Sequence, residues 1–181
     1  MNCETRCKNI KLVALDVDGV LTSGELIFGV DGELMKTFHA QDGLGLTVAR
    51  SVGLIVAIIT GRTSKMVAVR SAELKISEVF QGATDKGQVL TELMAKYNLR
   101  LEQIAYVGDD LNDLPILTQV GLACAVANAV PEVKQYAHLV TKRAGGNGAV
   151  REVIEEILKA QGKWESVIDR YLAGNAAGSQ Q

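Results

Sequence analysis

Three short stretches of the chain are apolar at nearly every position, and each ends on an acid or a hydroxyl: IKLVALD (residues 10–16), LIVAIIT (54–60) and QIAYVGD (103–109). A strand with one wet face alternates polar and apolar residues. A continuous run instead marks a strand buried on both faces, as in a sheet covered by helices. Helical patterns separate the runs. GLGLTVARSVG (43–53) reads as a helix with Gly53 as its C-cap, and residues 63–74 as another. In 86–99, Val89, Leu90, Leu93 and Met94 share one face. Further helices are expected at 111–120, 131–136 and 148–162, and weaker strands at 77–82, 121–127 and 138–141. ELIFGVDGELMKTFH (25–39) reads as a hairpin turning at Val30-Asp31-Gly32, with Asp-Gly as the turn signal. Strand and helix alternate after it. The expectation is a single α/β domain with a doubly wound, mainly parallel sheet and a small β-hairpin insertion. Residues 163–181 read as a loose, mobile tail.

The chain has 181 residues, a length that suits one domain with a sizeable core. Its formal net charge of −2 offers no global basic field for nucleic acid or a membrane surface. An anionic ligand must therefore be held by a few local cations. No apolar run approaches membrane-span length. Met1 to Lys8 is polar and lacks the pattern of a signal peptide. It reads as a frayed terminus. Cys3, Cys7 and Cys124 are expected to be reduced thiols in a cytoplasmic protein, in preference to a metal site or a disulfide.

Open α/β sheets build their sites at the carboxyl ends of strands. Here those ends carry Asp16 and Asp18, then Thr60, Gly61 and Arg62, then Lys86 at a helix start, then Asp109, Asp110 and Asp113. In an extended segment Asp16 and Asp18 point the same way and Val17 the other. Two close carboxylates repel, and a divalent cation removes the conflict. Hard oxygen ligands suit Mg²⁺, with Co²⁺ or Mn²⁺ as alternatives, and Asp109 can complete the shell. A carboxylate beside a metal can attack phosphorus, which makes Asp16 the candidate nucleophile and Asp18 the candidate acid and base. Thr60, backbone N–H groups and Lys86 can stabilise the transferring phosphoryl group. Gly19 lets the backbone approach the phosphate.

DVDGVLT (16–22), Thr60, Lys86 and GDDLND (108–113) occur in the order of the four motifs of the haloacid dehalogenase superfamily, which the chain resembles. VDGVLTSGEL, FHAQDGLG, AIITGR, YVGDDLND and AGGNGAVREV together are similar to its 3-deoxy-D-manno-octulosonate 8-phosphate phosphatase family, over about Lys8 to Gly162. Related phosphatases of nine-carbon sialic-type sugars, and a domain fused to some cytidylyltransferases, share the pattern. The resemblance implies a Rossmann-like sheet with no cap domain, and Mg²⁺ held by Asp16, the Asp18 carbonyl and Asp109. It implies a small sugar-acid phosphate as substrate and a homotetramer whose neighbouring hairpins complete the pocket. Asp18, His39, Ala40, Gln41, Asp42, Gly43, Gly61, Arg62, Arg70 and Lys86 then face the substrate. Gln41 departs from the basic residue that many members carry there.

Plainer roles compete. Asp42 and Gly43 can simply open a helix, His39 can be an ordinary polar residue, and Arg70 can lie on the surface. AGGNGAV (144–150) reads as either a phosphate nest or a flexible joint. Lys142, Arg143 and Arg151 can reach a neighbour's site. The rival functions are a receiver-type signalling domain, which would hold its phosphoryl group, and a non-catalytic partner of a cytidylyltransferase.

Overall fold

In the computed structural model, residues 2–174 are described. Six parallel strands form one sheet in the order β5-β4-β1-β6-β7-β8. They are β1 (Leu12–Leu15), β4 (Ile55–Thr60), β5 (Glu78–Gln81), β6 (Ile104–Gly108), β7 (Leu122–Ala125) and β8 (Leu139–Val140). β1 lies between β4 and β6, with Leu12 opposite both Ile55 and Ile104, and all four of its residues are buried. The continuous apolar runs are thus the three central strands. A separate antiparallel hairpin, β2 (Ile27–Gly29) with β3 (Gly32–Met35), follows β1. Gly32, at φ +113°, closes its turn.

The helices are α1 (Cys3–Lys8), α2 (Ala40–Ser51), α3 (Lys65–Glu73), α4 (Lys86–Tyr97), α5 (Leu114–Leu117), α6 (Pro131–Tyr136), α7 (Ala149–Ala160) and α8 (Trp164–Leu172). Helices α1, α2, α7 and α8 pack as one group, and α4, α5 and α6 as another. This is the doubly wound arrangement. The chain steps outward from β1 to β4 and β5, and α4 then carries it back to β6. The reversal places a crevice at the carboxyl ends of β1 and β6.

Four local expectations need correction. Helix α2 begins at Ala40, three residues before Gly43, because the Asp42 side chain is tied to the start of α7. The stretch read as one helix over 111–120 is a 3₁₀ turn (Leu111–Asp113) followed by the single turn of α5, with Pro115 at its start. The N-terminus is helical, not frayed: Asn2 caps α1 by accepting from Thr5 N (2.9 Å), and Cys7 is buried against the core. Part of the tail is also helical. Trp164, Val167, Ile168 and Tyr171 have helical spacing, Val167 is buried, and Trp164 lies beneath Arg151 at 5.2 Å. The end of the expected tail, 175–181, lies outside the described residues. Among the described residues no helix is long and apolar enough to cross a membrane.

Candidate active site

Asp16 follows the last residue of β1, and its backbone N–H donates to Val107 O of β6 (3.0 Å). The chain then turns sharply. Val17 O accepts from the N–H groups of Val20, Leu21 and Thr22 (3.2, 2.9 and 3.0 Å). Val17 is buried, while Asp16 and Asp18 both line a cleft of about 230 Å³ shared with Thr60, Gly61, Arg62, Asp109, Asp110 and Asn112. The expected division of this segment, acids to the crevice and valine to the core, is what the backbone adopts.

Beneath the cleft lies a buried charge network. Lys86 Nζ reaches Asp16 Oδ2 (2.9 Å), Asp113 Oδ1 (2.7 Å) and Tyr106 OH (3.2 Å). Burial pulls the Lys86 ammonium down, but Asp113 and Asp16 outweigh it and the net direction is up. Tyr106 OH donates to Asp113 Oδ1 (2.7 Å), and the N–H groups of Asp109 and Asp110 donate to Asp113 Oδ2 (2.9 and 3.3 Å). The hydrogen bonds that Asp113 accepts thus tie together the Asp109 loop, Lys86 and Tyr106 of β6. Asp16 is pushed up by burial first and by the Asp113 charge second, with Lys86 opposing.

Asp109 differs. Its Oδ1 is buried with no hydrogen-bond partner among the described residues. Its carboxyl is pushed up to about 7, by burial first and then by Asp113, Asp16 and Asp110. Carboxylate oxygens of Asp16, Asp109 and Asp113 lie within 4.8 Å of one another. A hard cation fits there: it would satisfy the orphaned oxygen and offset the repulsion. Asp113 is tied at both oxygens to the Asp109 loop, Tyr106 and Lys86, and Asp16 accepts from Val17 N (2.7 Å) and pairs with Lys86, so Asp109 Oδ1 is the oxygen of the cluster left without a donor among the described residues.

The Asp18 carboxylate turns away from this cluster. It pairs with Lys36 of the hairpin and with Arg62 Nε (3.6 Å). Lys36 is 1 % exposed at its side chain and also meets Glu33 (3.1 Å). Arg62 lies over the Phe28 ring at 5.6 Å. These contacts fasten the hairpin to the cleft. No sequence signal marked Lys36, because charged residues are ordinary on an exposed hairpin arm.

The other proposed substrate residues form a second group beside the cleft. His39 occupies the N-cap position of α2 without a capping bond, and its Nδ1 is buried and unpartnered. Ala40 and Gln41 are exposed in the first turn. Asp42 is turned inward: its oxygens accept from Gly148 N (3.1 Å) and Arg151 N (2.8 Å) at the start of α7, and burial pushes its carboxyl up. Gly43 makes room for Arg70, whose Nη2 would lie 2.1 Å from an added Cβ. Arg70 pairs with Glu73 (2.7 Å).

The glycine-rich 144–148 segment is neither a nest nor a joint. It is stacked on the turn after β1. A Cβ at Gly145 would lie 1.6 Å from Gly19 O, and one at Gly19 would lie 1.9 Å from Asp109 Oδ2. Gly146 N donates to Val20 O (2.9 Å), Gly145 N to Asn128 Oδ1 (2.7 Å), and Val130 N to Asp109 O (2.9 Å). Three loops are thus layered backbone on backbone, with the Asn128 amide bridging Gly145 N and Gly19 O and the vacancy at Gly19 filled by the Asp109 carboxylate.

A family model described as haloacid dehalogenase-like hydrolase matches residues 54–154. Over 158 residues the chain is 46 % identical to 3-deoxy-D-manno-octulosonate 8-phosphate phosphatase KdsC of Escherichia coli K12, spanning 87 % of this chain and 84 % of that one. Its fold superposes on the phosphatase of that name from Moraxella catarrhalis, solved in complex with magnesium, phosphate and KDO. The TM-score is 0.90 and the identity 43 %, covering 93 % of this chain and 97 % of the other. The cobalt-bound phosphatase of Haemophilus influenzae superposes with a TM-score of 0.88 at 41 % identity, covering 93 % and 98 %.

Proposed function

Because the chain belongs to the haloacid dehalogenase-like hydrolases and, within them, to the 3-deoxy-D-manno-octulosonate 8-phosphate phosphatase family, we propose that it is a Mg²⁺-dependent phosphomonoesterase that converts 3-deoxy-D-manno-octulosonate 8-phosphate to the free sugar acid and phosphate. The unpartnered Asp109 oxygen, set against the Asp16 carboxylate at the floor of an open cleft, carries this proposal. Asp16, Asp109 and the Asp18 carbonyl would hold the ion. When bound, Mg²⁺ supplies positive charge to the phosphoryl oxygens and to the carboxylates around them.

The chain's own residues divide the remaining work. Asp16 attacks phosphorus as the bond to the sugar oxygen breaks, and Asp18 donates a proton to that leaving oxygen. Asp18 then takes a proton from water, and the hydroxide displaces phosphate from the aspartyl-phosphate, which restores Asp16. Lys86 fixes the orientation of Asp16. The Thr60 hydroxyl and the N–H groups of the 17–19 turn are the donors available to the phosphoryl oxygens. A phosphoryl group entering the cleft competes with Asp18 for Lys36 and Arg62, which loosens Asp18 for its proton transfers.

The hairpin is too small to cover the cleft alone. Phe28, Val30 and Leu34 are 57 %, 102 % and 60 % exposed on it. An apolar patch of this kind is suited to contact with further copies of the chain, in keeping with a homotetramer that excludes water from the site. The cytoplasm suits an acceptor of a sugar phosphate whose buried thiols, Cys7 and Cys124, are pushed up by desolvation and are unreactive.

A screen of phosphate release across sugar-acid phosphates, with Mg²⁺ and with a chelator, tests the function. Chelator-sensitive turnover of the eight-carbon acid is expected. Preference for a nine-carbon acid would reassign the substrate, and no release from any of them would leave a non-catalytic partner.

A pH experiment tests the ion site separately. The Asp109 carboxyl is raised from an ordinary 3.8 to about 7. A group raised in the folded state contributes stability that is complete below its unfolded value and vanishes as pH climbs through its folded one. Chelated protein should therefore melt at a higher temperature near about pH 5.5 than near about pH 8. Mg²⁺ should add most at the upper end, where Asp109 is ionised. Identical slopes with and without the ion would remove Asp109 from the site.

A further inference from the structure

We propose, on the sugar-acid phosphatase reading above, that Arg143 binds the substrate carboxylate and so sets the preference for sugar acids over neutral sugar phosphates. Helices α2 and α7 both begin at the strand-end edge of the sheet, and Arg143 lies in the segment leading into α7. Its Nη1 donates to Gln41 Oε1 (2.7 Å), in the first turn of α2. That acceptor is neutral, so the guanidinium keeps its full charge and most of its donors.

Three other arginines, Arg62 in the cleft and Arg70 and Arg151 near the starts of α2 and α7, are already engaged by acids. Arg62 is on Asp18 (3.6 Å), Arg70 on Glu73 (2.7 Å) and Arg151 on Glu155 (2.7 Å). Two carboxylates stand close to Arg143, and both are occupied elsewhere. Asp42 accepts from the N–H groups of Gly148 and Arg151. Glu152 accepts from those of Lys142 (2.9 and 3.1 Å) and Arg143 (3.1 Å). Among the described residues, Arg143 is therefore an exposed guanidinium oriented by an amide and lacking an anion. A planar fork of this kind matches a carboxylate in a bidentate way. In the proposed substrate the carboxylate and the phosphate sit at opposite ends of the carbon chain, so the second anion must be met away from Asp16 and Asp109.

The test compares kcat and KM for 3-deoxy-D-manno-octulosonate 8-phosphate with those for a pentose 5-phosphate, which has no carboxylate. For Arg143→Gln the ratio of the two kcat/KM values should fall by about tenfold or more, mainly through KM of the acid. Arg143→Lys should recover part of it. Gln41→Glu provides a second route, since it gives the guanidinium a carboxylate partner in place and should lower the same ratio. Equal losses on both substrates would show that Arg143 merely supports its loop, and an unchanged ratio in both variants would overturn the assignment. A wild-type enzyme that turns over the pentose phosphate but shows no preference for the acid would remove the substrate reading itself, and this proposal with it.

Discussion

Asp16→Asn is expected to abolish turnover, with kcat falling roughly 10³- to 10⁶-fold, while the protein stays folded. The amide nitrogen cannot form the acyl phosphate, and the remaining amide oxygen is a far weaker nucleophile. The fold does not depend on the lost charge. Lys86 keeps Asp113 at 2.7 Å and Tyr106 at 3.2 Å. Removing the charge also relieves Asp109, which the Asp16 carboxylate helps to push up. The chelated variant should accordingly melt no lower than the wild type. Phosphate release under single-turnover conditions, together with a thermal melt, reads both halves. Undiminished release would remove Asp16 from the nucleophile role, and a collapsed melt would mean that its charge is structural.

Asp113→Ala should lower stability by about 3–5 kcal/mol. Asp113 is completely buried, and its two oxygens accept from four donors: Lys86 Nζ, Tyr106 OH and the N–H groups of Asp109 and Asp110. Truncation strands the N–H groups of Asp109 and Asp110 and leaves the ammonium with Asp16 and Tyr106 OH. Denaturant unfolding with and without Mg²⁺ separates two roles for this side chain. An anchor costs stability in both conditions, whereas a ligand costs it only when the ion is bound. A loss confined to the Mg²⁺-loaded protein would refute the anchoring role.

The acids of the site were legible because each stands where an apolar run stops, and the sheet brings such ends to one edge. The parts that hold them were not. Tyr106 sits inside a continuous apolar run and reads as core, and its hydroxyl matters because the fold delivers Lys86 of α4 and Asp113 beside it. Asn128 and Gly145 act on Gly19 from the far end of the chain, which no local spacing encodes. The helix starts failed for a related reason. Gly43 and Gly45 weaken the local signal of α2, and the start of that helix is set by the bonds from Asp42 to α7. For α8 the apolar spacing was present over 164–171, but the small polar residues that follow it masked the pattern. For α1 the signal lay in the burial of Cys7, a single apolar position that only packing reveals.

The layering of Gly145 on Gly19, and of Gly19 on the Asp109 carboxylate, has a consequence for how this sequence can change over time. A mutation adding even a methyl group at either glycine must displace a backbone or the Asp109 carboxylate. Positions 19, 109 and 145 are therefore locked as a set: drift is blocked at all of them together, and a descendant that abandoned one would have little reason to retain the others.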